Sequence, residues 1–211
     1  MRYVLMVRAK PETSSVQDKH ADFISRVSRD AIDIFSAVPN SPKEPTTDPV
    51  VEVKLKSFLK PPFRGILRYQ NRAYVREEAS FDDYVMIEFD PRKTDLAALA
   101  CITFPAFVDA FGAYFGYIAD EEFVHHDFDA HRDVDIRRSV PRVFPVMFID
   151  RRLCSDSFDS LPAKLVARLG AEVSREFAGG LLVTALTRPV PFLEACAFSD
   201  SLTATAADRL S

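Results

Sequence analysis

The sequence predicts an α+β fold: a single domain, residues 1–211, in which a mainly antiparallel sheet packs against two long helices and several shorter ones. Three observations predict it. Strand-like runs stand beside helical ones in hairpin order, without the regular strand–helix alternation that a parallel sheet requires. The chain has 211 residues, 47% hydrophobic and 27% charged, a composition that supports one sizeable core. Phenylalanine occurs 18 times and tryptophan never, so that core is expected to rest largely on phenylalanine.

The elements follow in order. Tyr3 to Ala9 is rich in Val and Tyr and closes at Lys10-Pro11, which predicts a strand. Ser14 or Ser15 then offers an N-cap. Val16, His20, Phe23, Ile24, Val27, Ala31, Ile34, Phe35 and Val38 recur at spacings of three and four, one apolar face of a long helix ended by Pro39. Residues 39–49 hold four prolines and almost nothing apolar, which reads as an exposed loop. Val51 to Lys56 alternates strictly and predicts a strand with one wet face. Ile66 to Val75 reads as a broken strand or hairpin around Gln70-Asn71, and Tyr84 to Phe89 as a strand stopped by Asp90-Pro91.

Thr94 or Asp95 caps a helix from Leu96 through Leu99, Ile102 and Phe107 to Phe111, which Pro105 is expected to kink or divide. Gly116 to Phe123 reads as a strand, and so does Val143 to Ile149, where Pro145 suggests an edge or a bulge. Ser160-Leu161-Pro162 opens a short helix that Gly170 stops. Glu172 to Phe177 and Leu181 to Leu186 flank the turn Ala178-Gly179-Gly180 and predict a hairpin. A last helix is expected around Phe192 to Phe198, with a small, polar tail at 199–211 that frays.

Composition narrows function. A net charge of -4 disfavours nucleic acid, whose phosphates need clustered surplus Lys and Arg. Six glycines and no GxGxxG disfavour a nucleotide cofactor. Cys101, Cys154 and Cys196 are odd in number and widely spaced, which reads as three reduced, mostly buried thiols. Cys154 follows Arg151-Arg152, which would lower its pKa if exposed, although packing inside the fold is the expected role. The start of the chain has too short an apolar run for a signal peptide, and no run approaches the roughly 20 apolar residues of a membrane span. A cytoplasmic protein is expected.

One segment concentrates chemistry. Three of the four histidines lie in Glu122-Phe123-Val124-His125-His126-Asp127-Phe128-Asp129-Ala130-His131-Arg132-Asp133-Val134-Asp135. On a strand, His125, Asp127, Asp129, His131, Asp133 and Asp135 would share one face. Imidazoles with carboxylates suit a transition metal, with His125, His126, Asp127 and His131 as candidate ligands. There is no HExxH and no HxH, and the fourth histidine, His20, sits on a helical core stripe. The same segment also reads as a solvated acidic face, or as a docking patch. Asp120, Glu121, Glu122, Asp127, Asp129, Asp133 and Asp135 place seven carboxylates within sixteen residues, able to steer a basic partner. Arg137, Arg138, Arg142, Arg151 and Arg152 follow, and pairing with them would use the patch up. Phe104, Phe107, Phe111, Tyr114, Phe115 and Tyr117 form an aromatic cluster that reads as core, or as the lining of an apolar pocket.

Phe148-Ile149-Asp150-Arg151-Arg152-Leu153-Cys154, then Leu161-Pro162-Ala163-Lys164-Leu165-Val166-Ala167-Arg168-Leu169, then Gly179-Gly180-Leu181-Leu182-Val183-Thr184 resemble the immunity proteins of bacterial polymorphic toxin systems, the Imm52-like group. The likeness covers about a third of the chain and consists of framework: strand, short helix, capped helix and Gly-initiated strand. The first dozen residues are also similar to the opening strand of YCII-related α+β proteins. The immunity resemblance implies a non-enzymatic protein that binds and neutralises a toxin. The expected function is therefore protein binding through the acidic surface, with no cofactor and with a basic toxin domain as partner. The alternative is a small metal-dependent hydrolase built on the His/Asp cluster.

Overall fold

The computed structural model describes residues 1–12, 14–29, 34–43 and 47–208. Its eight strands are β1 (Tyr3–Ala9), β2 (Val50–Lys54), β3 (Arg64–Gln70), β4 (Asp83–Phe89), β5 (Phe115–Asp120), β6 (Val146–Ile149), β7 (Ser174–Phe177) and β8 (Gly180–Thr184). They form one sheet in the order β2-β3-β4-β1-β5-β6-β8-β7. Every neighbouring pair is antiparallel. The α+β class predicted by element order is the observed one.

Helices cover both faces of the sheet. One face carries α1 (Val16–Arg29), α2 (Leu96–Ala98) and α3 (Phe104–Phe111); the other carries α4 (Glu121–Ala130), α5 (Arg151–Phe158), α6 (Pro162–Leu169) and α7 (Phe192–Ala207). That double cover explains why β1 reads as a continuous apolar run. Leu5 and Val7 join the first core, and Val4 and Met6 the second.

Local chemistry sets several boundaries. The Ser15 hydroxyl oxygen accepts the Asp18 N–H at 3.0 Å and starts α1. Buried His20 sits with Nδ1 3.1 Å from the Tyr69 hydroxyl, the core role expected of it. The Asp95 carboxylate accepts the Ala98 N–H at 3.0 Å and caps α2. Ala178 and Gly179 both have positive φ (46° and 76°), the twist that a two-residue hairpin turn between β7 and β8 needs. Gly170, at φ 96°, ends α6.

Three expectations about the elements are corrected. The first helix was expected to reach Val38. Ala31 lies outside the described residues, and Phe35 makes an antiparallel bridge to Leu59 while the Ser36 N–H donates to the Phe58 carbonyl at 2.8 Å. Ile34 is thus buried by strand-like pairing, not by helical packing. Pro105 does interrupt its helix, as expected, dividing α2 from α3. The turn Leu99–Thr103 widens to a π-helix just before it, accommodating the missing N–H and the ring's clash with the preceding turn. That widening turns Cys101 and Ile102 to solvent, against the expected burial of both, and Cys196 is only half-buried. β6 lies inside the sheet, not at its edge, because Pro145 precedes the ladder and only its carbonyl is used, accepting the Ala185 N–H at 2.8 Å. Residues 199–207 are helical instead of frayed. Ala195, Ser199, Leu202 and Ala206 form a buried stripe, and the Val143 N–H donates to the Thr203 hydroxyl at 2.8 Å. Residues 209–211 of the predicted tail, and 44–46 of the predicted loop, lie outside the described residues.

Candidate functional site

The His/Asp segment is a helix and not a strand, which overturns the shared-face argument made for it. The Asp120 carboxylate accepts the Glu122 N–H at 2.9 Å, and Glu121 and Glu122 fill the first turn, where the helix dipole favours negative charge. Asp120 is therefore a buried cap. Asp120→Ala is expected to cost about 1 kcal/mol, read as a lower midpoint in urea unfolding.

On the inner side of α4 only Phe123 and Asp127 are buried. Phe123 packs edge-on to Phe144 at 5.2 Å. Four residues on, Asp127 meets His131, whose Nδ1 lies 3.1 Å from Asp127 Oδ1 and 3.0 Å from its carbonyl oxygen. Arg142 reaches the same carboxylate at 3.6 Å and pairs with Asp200 at 2.9 Å. Burial pushes the Asp127 carboxyl above the ordinary range, with the charges of His131 and Arg142 opposing it. Its Oδ1 has charged neighbours but no well-aligned hydrogen bond.

Between α4, the following loop and the sheet lies a cavity of about 480 Å³. Phe115, Tyr117 and Phe144 line its apolar part, with Tyr117 and Phe144 stacked at 4.8 Å. Phe128 stands at its lip, 65% exposed. Burial pushes the Tyr117 hydroxyl up to about 12, with Arg8 lowering it and Asp127 raising it. Asp135 holds the loop in place by accepting the N–H groups of Arg137 at 3.1 Å and Ala79 at 3.3 Å.

Beyond the cavity, on the same face, is a polar cluster that no sequence pattern announced. Asp82 is fully buried and receives the Arg137 Nε–H at 2.8 Å, the Tyr114 hydroxyl, and Arg8 at 3.7 Å. Its neighbour Asp83 points to the opposite face. There it takes two parallel bonds from Arg72 at 2.9 Å and the Gln70 N–H at 2.7 Å, with Lys19 at 3.6 Å.

The predicted site residues are thus divided. Asp120 and Asp127 are buried, and Asp135 is half-buried in structural bonds. Glu121 pairs with Arg2 at 3.4 Å, and exposed Asp129 faces Arg132 at 3.9 Å. Glu122 and Asp133 are exposed. Of the following arginines, Arg138 and Arg142 do pair with acids of the segment, whereas Arg137 is taken by Asp82.

His125 and His126 face solvent, His126 edge-on to Phe192 at 5.6 Å, while His131 belongs to Asp127. Among the described residues no three His, Cys, Asp or Glu side chains come together as a metal would require. Helical geometry separates residues that strand parity would have aligned. The aromatic cluster is divided by the sheet: Phe104, Phe107 and Phe111 join the first core, and Tyr114, Phe115 and Tyr117 the second. Cys154 is buried, and desolvation pushes its thiol up to about 12, so the arginines before it do not activate it.

The fold defines an α+β class with an antiparallel sheet covered on both faces. A solved structure with this arrangement is the Pseudomonas aeruginosa T6SS protein PA0821, similar at a TM-score of 0.50 and 10% identity over 98% of this chain and 71% of that one. At that identity the likeness is one of fold. No protein-family model and no curated protein matches the sequence. Among the described residues no helix is long and apolar enough to cross a membrane.

Proposed function

We propose that this chain is a non-enzymatic, cytoplasmic protein-binding protein of the immunity type, which neutralises a bacterial toxin by docking against a basic surface of it. The observation that carries the reading is the outer side of α4. Exposed Phe128 and Asp133 stand at the lip of a concave cavity, with exposed Asp129 next to Phe128 in the chain and exposed Glu122 on the first turn of the same helix. A solvent-facing aromatic with a charged surround is the usual make-up of an interface centre and rim. The acids would steer the encounter, and Phe128 would supply buried area. The fold neighbour's description as a T6SS protein fits this setting, since T6SS proteins include effector–immunity pairs. The docking set is narrower than the seven carboxylates of the sequence, because Asp120, Asp127 and Asp135 are engaged inside the fold.

The test uses the product of a toxin gene adjacent to this protein's own gene. The wild-type chain is expected to bind it and to protect cells expressing it. The triple variant Glu122→Lys, Asp129→Lys, Asp133→Lys is expected to weaken binding at least about tenfold, chiefly through a slower association rate that salt also slows. Unchanged affinity in the triple variant would remove the acidic face from the interface. Absence of both binding and protection would remove the immunity role.

A further inference from the structure

Resting on that reading, we infer that the cavity behind α4 is an anchor pocket for a basic side chain, arginine or lysine, carried on a protruding segment of the partner. Its lining carries four carboxylates, Glu78, Asp127, Asp133 and Asp135, with Arg8, Arg132 and His131. Asp127 is taken by His131 and Arg142 and Asp135 by loop N–H groups and Arg138, which leaves Glu78 and Asp133. Arg8 is already committed, donating to the Ala79 carbonyl at 3.0 Å and facing Asp82 at 3.7 Å. Arg132 is exposed and turned toward Asp129. The charge left for a ligand to meet is therefore negative.

A second, independent observation points into the same space. Tyr117 is 8% exposed and lines the cavity, yet its hydroxyl has no hydrogen-bond partner among the described residues. That hydroxyl is not sealed from solvent, so it opens on the cavity, and its lone pairs suit an incoming N–H. The walls supply the rest. The faces of Phe115, Phe144 and Phe128 suit an aliphatic stem and a cationic head, the two halves of a long basic side chain. At about 480 Å³ the cavity falls within the range of pockets that enclose small ligands, so the tip of a loop enters with its side chain. A carboxylate ligand would have to displace the bonds Arg8 already makes while approaching the uncommitted Glu78 and Asp133.

The probe is acetyl-arginine methylamide, titrated into isotope-labelled protein and followed by backbone amide NMR, with the norleucine and glutamate analogues alongside. The arginine probe is expected to shift the signals of Gly116, Val124, His131 and Ile136, saturating in the millimolar range. Tyr117→Phe, which keeps the ring, is expected to weaken it about tenfold. Asp133→Asn should weaken it about threefold, and Val124→Trp, which fills the space, should abolish it. Tyr117→Phe and Asp133→Asn leave the packing intact, so the result does not depend on whether the Trp variant folds. No shift with arginine, equal shifts with norleucine, stronger shifts with glutamate, or an effect unaltered by Tyr117→Phe would each overturn the anchor. The probe needs no partner protein. An intact toxin complex beside a silent cavity discards the anchor and keeps the docking face; a bound probe beside a failed toxin pairing does the reverse.

Discussion

Replacing Arg137 with alanine is expected to cost about 3–5 kcal/mol, close to the whole stability of a marginal domain. Its side chain is 5% exposed and that of Asp82 is 0% exposed, so removing the guanidinium leaves a carboxylate in the interior with only Tyr114 and the more distant Arg8. The variant also loses the bond from Arg137 to the Arg76 carbonyl at 2.9 Å, which ties the loop after α4 to the segment before β4. Burial already raises the Asp82 carboxyl above its ordinary value, opposed by the Tyr114 hydrogen bond and the charges of Arg137 and Arg8. Without Arg137 the folded value rises further. The folded state then binds a proton that the unfolded state has released, so stability falls as pH rises through that window. The defect is therefore expected to be smallest in mild acid and largest at neutral pH. Urea unfolding at several pH values checks both statements; a pH-independent loss below about 1 kcal/mol would show that Arg8 suffices as the counter-charge.

The second large effect concerns α4. Phe123→Ala is expected to cost about 3–5 kcal/mol, since the ring is 1% exposed and packs on Phe144 and Phe192. It is the only apolar side chain of α4 that is fully buried, so its loss frees the helix that carries the candidate interface. Phe128→Ala is the contrasting case, five residues away on the same helix. Being 65% exposed, it should change stability by no more than about 0.5 kcal/mol yet weaken partner binding. Equal stability losses in the two variants would contradict this division of labour.

Much of the framework was legible because local chemistry decides it. β1 runs from Tyr3 to Ala9 as its composition predicts, and Ser15, Asp95 and Gly170 act as the caps and stop their positions imply. The error at His125–Asp135 is instructive. Alternating His and Asp mimics a strand, but Asp120 followed by Glu121-Glu122 is a helix start, and Phe123 with Asp127 is a helical spacing. The eye-catching residues carried the wrong period. The end of the chain misled for the opposite reason: Ala195, Ser199 and Ala206 are small, so their stripe is weakly hydrophobic although closely packed. Asp82 was beyond reach, because its partner Arg137 lies 55 residues away and nothing local marks the pair. The cavity is equally non-local, assembled from β1, the 78–80 turn, β5, α4 and its following loop.

Asp82 and Asp83 are consecutive, and each is locked by an arginine on a different side of the sheet. Sliding β4 by one residue against β1 would send each carboxylate through to the wrong side, away from its guanidinium and into a hydrophobic layer. The two locks therefore act together as a check on alignment, read from above and below the sheet at the same moment. Misthreaded chains lose both ion pairs in one step, so the nearest wrong pairing carries both penalties at once.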